Sequence, residues 1–121
     1  MLTLAEITPE TIFKLHEKIR WAGLATDQGE VAFVKMRPGV QSLSPEPADH
    51  SFIQLGPMLL SGVGERLVPW AGSLEVVVCR YEKVVLFVTK LKKSYLAVTI
   101  DRDNPEQVIA EVLQALHTLA H

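Results

Sequence analysis

The chain has 121 residues, enough for one domain that buries roughly two-thirds of its unfolded surface. Apolar residues make up 48% of it and the formal charge is −2, which gives no electrostatic basis for binding nucleic acid. The single cysteine cannot form an internal disulfide, and charges or glycines interrupt every apolar run before it reaches the length of a membrane span.

Met1 to Glu6 lacks the basic start and long apolar stretch of a secretory signal, so a cytoplasmic location is expected. Thr8-Pro9-Glu10 opens a first helix: a hydroxyl cap, a proline at the first helical position and an acid at the positive end of the dipole. Ile12, Leu15 and Ile19 continue it at helical spacing with Phe13 beside them, and Lys18 and Arg20 fall in its last turn. Trp21 to Thr26 reads as a strand of small and apolar residues. Asp27-Gln28-Gly29 is its turn and Glu30 to Met36 the return strand. Gly23 and the alanines leave room for a helix to lie close on this hairpin.

Arg37 to Leu43 is a loop by its Pro-Gly pair, and Ser44-Pro45-Glu46 repeats the logic of the first helix start. Phe52, Leu55 and Leu59 mark one stripe of this middle helix, with Ile53 and Leu60 on an adjoining one. Gly56-Pro57 predicts a kink or a split, because Pro57 cannot donate to residue 53. Glu65 to Ser73 is a connector containing Pro69-Trp70.

Three strand-length runs follow: Leu74 to Tyr81, Val84 to Thr89 and Tyr95 to Ile100, with joints at Glu82-Lys83 and Leu91 to Ser94. Joints that short exclude a parallel crossover, so the runs form an antiparallel meander. In the middle run Val85 and Phe87 face one way and Val84, Leu86 and Val88 the other, which requires a covering layer on both sides. Asn104 caps the last helix, with Pro105 at its first position, Gln107 completing a capping box, and a stripe of Ile109, Val112, Leu113, Leu116 and Leu119. The expected fold is α+β: a five-stranded antiparallel sheet between helices, in the order α-β-β-α-β-β-β-α.

That order resembles the roadblock/dynein light chain superfamily within the profilin-like and longin-like folds. The local match is Ala22 to Gly29, an apolar strand running into an Asp-x-Gly turn. Arg37 to Glu46 and Tyr81 to Val84 resemble small uncharacterised archaeal members of that superfamily. The resemblance implies a single roadblock-like domain over residues 1–121 that is non-enzymatic, forms dimers through its third strand and middle helix, and in many members engages a small Ras-like GTPase. Gly56-Pro57 departs from the pattern in the helix that the family uses for dimer contact.

No catalytic motif is present. His117 and His121 share a helix face, but no third ligand accompanies them, so they read as surface groups and no metal is assigned. Cys79 sits mid-strand in an apolar run and reads as a buried structural thiol; His16 and His50 cannot be set beside it from sequence. Lys90, Lys92 and Lys93 read as a solvated turn, with Arg80 and Lys83 at the opposite hairpin end and a membrane or phosphate patch as the alternative. Ser61 to Arg66 lacks the Gly-Lys-Ser/Thr ending of a phosphate loop. Glu75 reads as a solvent or interface charge and Asp101 and Asp103 as a helix-entry pair rather than a catalytic pair, while Trp21 and Trp70 read as core or boundary residues, with an interface as the alternative.

The resemblance implies an interaction scaffold without a cofactor, with a small GTPase as its partner, and the expected homodimer is built on Phe52, Ile53, Leu55, Leu59, Leu60, Glu75, Val77 and Cys79. In the roadblock arrangement Glu75 to Cys79 lie on an edge strand that is apolar and lacks proline, a hazard unless covered. The alternative is a profilin-like sensor whose pocket, between sheet and middle helix, is lined by residues such as Phe52 and Met58.

Overall fold

The computed structural model describes residues 6–41, 53, 60 and 64–120. Five strands form one antiparallel sheet: β1 (Trp21–Thr26), β2 (Val31–Met36), β3 (Val76–Arg80), β4 (Val84–Lys90) and β5 (Ser94–Asp101), in the order β2-β1-β5-β4-β3. The helices are α1 (Pro9–Phe13), the one-turn α2 (Val68–Ala71), which follows a 3-10 turn at Gly64–Leu67, and α3 (Glu106–Ala120).

The meander forms where the β-branched runs predicted it. Val85 and Phe87 enter the layer covered by α1 and α3, while Leu86 and Val88 enter the opposite one. All four are at most 4% exposed, so β4 is buried on both faces as its unbroken apolar run requires. The opposite layer holds Ile53 and Leu60, which lie in helical backbone and pack with Trp21, Ala25 and Tyr95. The rest of the expected middle helix, including Phe52, Leu55, Leu59 and the Gly56-Pro57 kink, lies outside the described residues.

Four expectations need correction. The first helix stops at Phe13 rather than running to Arg20, although Ile12 and Ile19 are both fully buried. The cause lies far along the chain, in Arg37. Its Nε donates to the Ile19 carbonyl at 2.6 Å, and one Nη donates to the carbonyls of Phe13 and His16 at 2.7 and 2.8 Å. Carbonyls satisfied from outside no longer need a helical ladder. Arg20 is consequently no helix-end cation. It is 9% exposed and brackets two chain segments, donating to the Gln41 carbonyl at 2.7 Å and lying 3.3 Å from Asp101 Oδ1.

The space over Gly23 is taken by a ring rather than by a helix. A Cβ there would stand 2.7 Å from the indole of Trp21 and 3.3 Å from Val34, so glycine lets Trp21 lie flat across its own strand. At the last helix, Asn104 donates its amide to the Asp101 carbonyl at 2.9 Å, and its backbone N–H goes to the same oxygen. Gln107 reaches forward to Glu111, so the expected capping box does not form. Finally, Trp70 is 82% exposed on α2, neither core nor boundary.

Candidate interaction surface

Among the described residues β3 is an edge strand, hydrogen-bonded on one side only, to β4. The Tyr81 N–H donates to the Val84 carbonyl at 2.8 Å and closes the β3–β4 hairpin. Antiparallel ladders alternate, so Cys79/Leu86 and Val77/Val88 are the next hydrogen-bonded pairs inward. The backbone groups of Val76, Val78 and Arg80 therefore point away from the sheet, a register that residue types alone do not reveal.

Side chains on β3 divide by face. Val77 and Cys79 pack, half-buried, against the layer holding Ile53 and Leu60. Cys79 is thus less enclosed than its apolar run suggested. Val76 packs on the α3 side, with Val78 39% and Tyr81 53% exposed near the far end. Arg80 donates to both oxygens of Glu106 at 3.0 and 2.9 Å, which holds that carboxyl below its ordinary value. Glu75, at the other end, lies 3.8 Å from His117 Nδ1. The eight residues expected to form a contact surface are therefore not equivalent. Ile53 and Leu60 are 0% and 3% exposed and pack against the chain's own sheet. Glu75, Val77 and Cys79 lie along the open edge, and Phe52, Leu55 and Leu59 are outside the described residues.

A groove of about 1380 Å³ runs beside this edge between α3, α2 and the β4–β5 end of the sheet. Leu74, Val76, Leu113 and Leu116 line its apolar part and Lys90 and Lys92 stand at its rim. Sequence reasoning placed a pocket against the middle helix instead; Phe52 and Met58, expected to line it, lie outside the described residues. The groove lies largely against α3, and it went unread because α2 lacked helical periodicity. Elsewhere, His16 Nδ1 accepts from the Lys18 N–H at 3.0 Å, which leaves Nε2–H to donate to Glu111 at 2.7 Å. His50 and His121 lie outside the described residues. Among the described residues no group of three His, Cys, Asp or Glu side chains could hold a metal ion, and no helix is long and apolar enough to cross a membrane.

No family profile and no curated protein matches the sequence. Solved structures do. The gliding protein MglB from Thermus thermophilus matches with a TM-score of 0.65 at 18% identity, over 92% of this chain and 82% of that one. An MglB with a tetrameric arrangement gives the same score and identity over 92% and 81%. A roadblock/LC7 domain from Streptomyces avermitilis matches at 0.57 and 23% identity, over 88% of each chain. The chain has the roadblock fold. The archaeal affinity expected from two loops finds no support in these likenesses, whose named sources are Thermus and Streptomyces. Within the roadblock fold, the Asp27-Gln28-Gly29 turn that carried the resemblance does place Gly29 at a φ of 87°.

Proposed function

We propose that the protein is a non-catalytic, homodimeric interaction module that serves a small Ras-like GTPase as regulator or scaffold. The open β3 edge carries this reading. Its outward groups at Val76, Val78 and Arg80 form an unpaired ladder on a strand without proline, a template that another strand can extend. A second copy related by a two-fold axis through Val78 would pair the two edges in antiparallel register. Val77 and Cys79 would flank the seam on one face, together with Phe52, Leu55 and Leu59, and Glu75 would lie at its end. The tetrameric arrangement of one MglB structure supports self-assembly for a chain of this fold. The GTPase partner follows from the roadblock resemblance of Ala22 to Gly29 and would put the protein in the cytoplasm. No cofactor is needed for such a role.

Sedimentation equilibrium at micromolar concentration tests the assembly. A dimer burying more than roughly 1,000 Å² in total is expected, and a monomer would sink the reading. The partner is tested separately, by titrating purified small GTPases, loaded with GDP or a non-hydrolysable GTP analogue, against the labelled protein. Binding that depends on the nucleotide is expected. Absence of binding in both states would remove the GTPase and leave the dimer standing.

A further inference from the structure

We propose that the groove between α3 and the start of β3 is a docking site for an acidic, amphipathic helical peptide contributed by another protein. Two stripes run along α3. One, through Ile109, Val112, Leu116 and Leu119, is buried against the sheet. The second, Ala110, Leu113, His117 and Ala120, recurs at three- and four-residue spacing and lines the groove. Ala110 and Ala120 are small enough for a second helix to approach closely, and Leu113 offers an apolar ridge between them. The opposite wall is α2, whose Val68 and Pro69 face the groove while Leu67 and Trp70 stand 62% and 82% exposed beside it. An exposed tryptophan next to an apolar trough is the composition of an interface hot spot.

Size and charge select the occupant. The groove, at about 1380 Å³, exceeds the roughly 300–1,000 Å³ of small-molecule clefts, and an amphipathic helix fits such a trough by its apolar stripe. Lys90 and Lys92 stand at the rim, and neither has an ion pair among the described residues. Glu75 is the one acid lining the groove among those residues, and it faces His117. The excess positive charge therefore favours a peptide with acidic flanks over a neutral or basic one. The site adjoins the proposed seam only at Glu75 and Val76, and most of the rest of its lining lies on α2, α3 and the β4–β5 end.

The test uses a synthetic helical peptide with leucines at i, i+3, i+4 and i+7 spacing and glutamates elsewhere, read by the fluorescence of Trp70. A saturable blue shift at micromolar peptide is expected, with Trp70→Ala removing most of the signal change and weakening binding followed by calorimetry. The double variant Lys90→Glu/Lys92→Glu should weaken the acidic peptide by about tenfold or more. It should bind a lysine-flanked version better than the unmodified protein does, with an unchanged circular dichroism spectrum. Equal affinity for acidic and basic peptides, or no effect of the double variant, would overturn the proposal. So would binding of dodecanoate without binding of peptide, which would make the groove a site for small amphiphiles. Conversion of a dimer to a monomer by Leu113→Glu would equally overturn it, because the groove would then be an interface between copies.

Discussion

Arg37 satisfies the Phe13 and His16 carbonyls, which a longer first helix would have satisfied internally, and that of Ile19, and its guanidinium also lies 5.0 Å from the Phe13 ring centroid. Lysine has one point charge and cannot reproduce this fork. Arg37→Lys is expected to cost about 1–3 kcal/mol, the range for leaving part-buried acceptors unmet, measured as a shift in urea midpoint at constant slope. Gly23→Ala meets the Trp21 indole at 2.7 Å and should cost about 1–3 kcal/mol through overpacking. Trp21→Leu frees that space, so in a double-mutant cycle the pair should lose less than the sum of the two changes. His16 donates to Glu111, and that bond holds the Glu111 carboxyl below its ordinary 4.5. A depressed carboxylate contributes stability that is complete above 4.5 and is lost as pH falls through the lowered value. His16→Ala should move the Glu111 midpoint up toward 4.5 in a carbon-detected NMR titration; an unmoved midpoint would show that Gln107 alone sustains the shift. None of these contacts was legible in the sequence. Thr8 and Pro9 announce where α1 begins, but its end is decided by a residue that adjoins it only after folding.

At the scale of the elements, strands were easier to read than helices. β4 carries its burial on both faces as an unbroken apolar run, and β1 matches its expected bounds residue for residue. The first helix deceived because Ile12 and Ile19 keep helical spacing and are both buried, yet Ile19 lies in non-helical chain whose carbonyl Arg37 holds. The short α2 left no periodic trace, being a single turn that Pro69 starts and Gly72 ends at a φ of 84°. Strand register separates two substitutions that look alike on paper. Val78 directs its backbone outward, so Val78→Pro should leave the hairpin folded, as edge positions tolerate proline, and shift the protein from dimer to monomer. Val77 bonds inward to Val88, so Val77→Pro should instead lower the melting temperature whatever the assembly. Sedimentation and thermal denaturation of the two variants, side by side, distinguish a lost seam from a lost strand. If Val78→Pro remains a dimer, the seam lies elsewhere.

Over the whole molecule, the α+β architecture could be read from the order of its runs, since short joints dictate a meander and a two-faced strand dictates two covering layers. The contact surface was legible only in outline. The edge strand was expected from the roadblock resemblance, but composition could not tell that Ile53 and Leu60 turn inward, because a stripe that covers a sheet and one that meets a partner look alike. The strand order β2-β1-β5-β4-β3 also governs how the molecule comes into being. The hairpin made first, β1–β2, has its second neighbour in β5, the last strand to be synthesised. During translation Trp21, Gly23 and Leu24 must wait with one side of their strand unmatched until Tyr95 to Thr99 clear the ribosome. A nascent chain stalled before Ser94 should therefore show rapid exchange at the β1 amides that bond to β5, and the complete chain should not. Damage to β5 would then be felt first far back along the chain, in a β1–β2 hairpin left open to proteolysis.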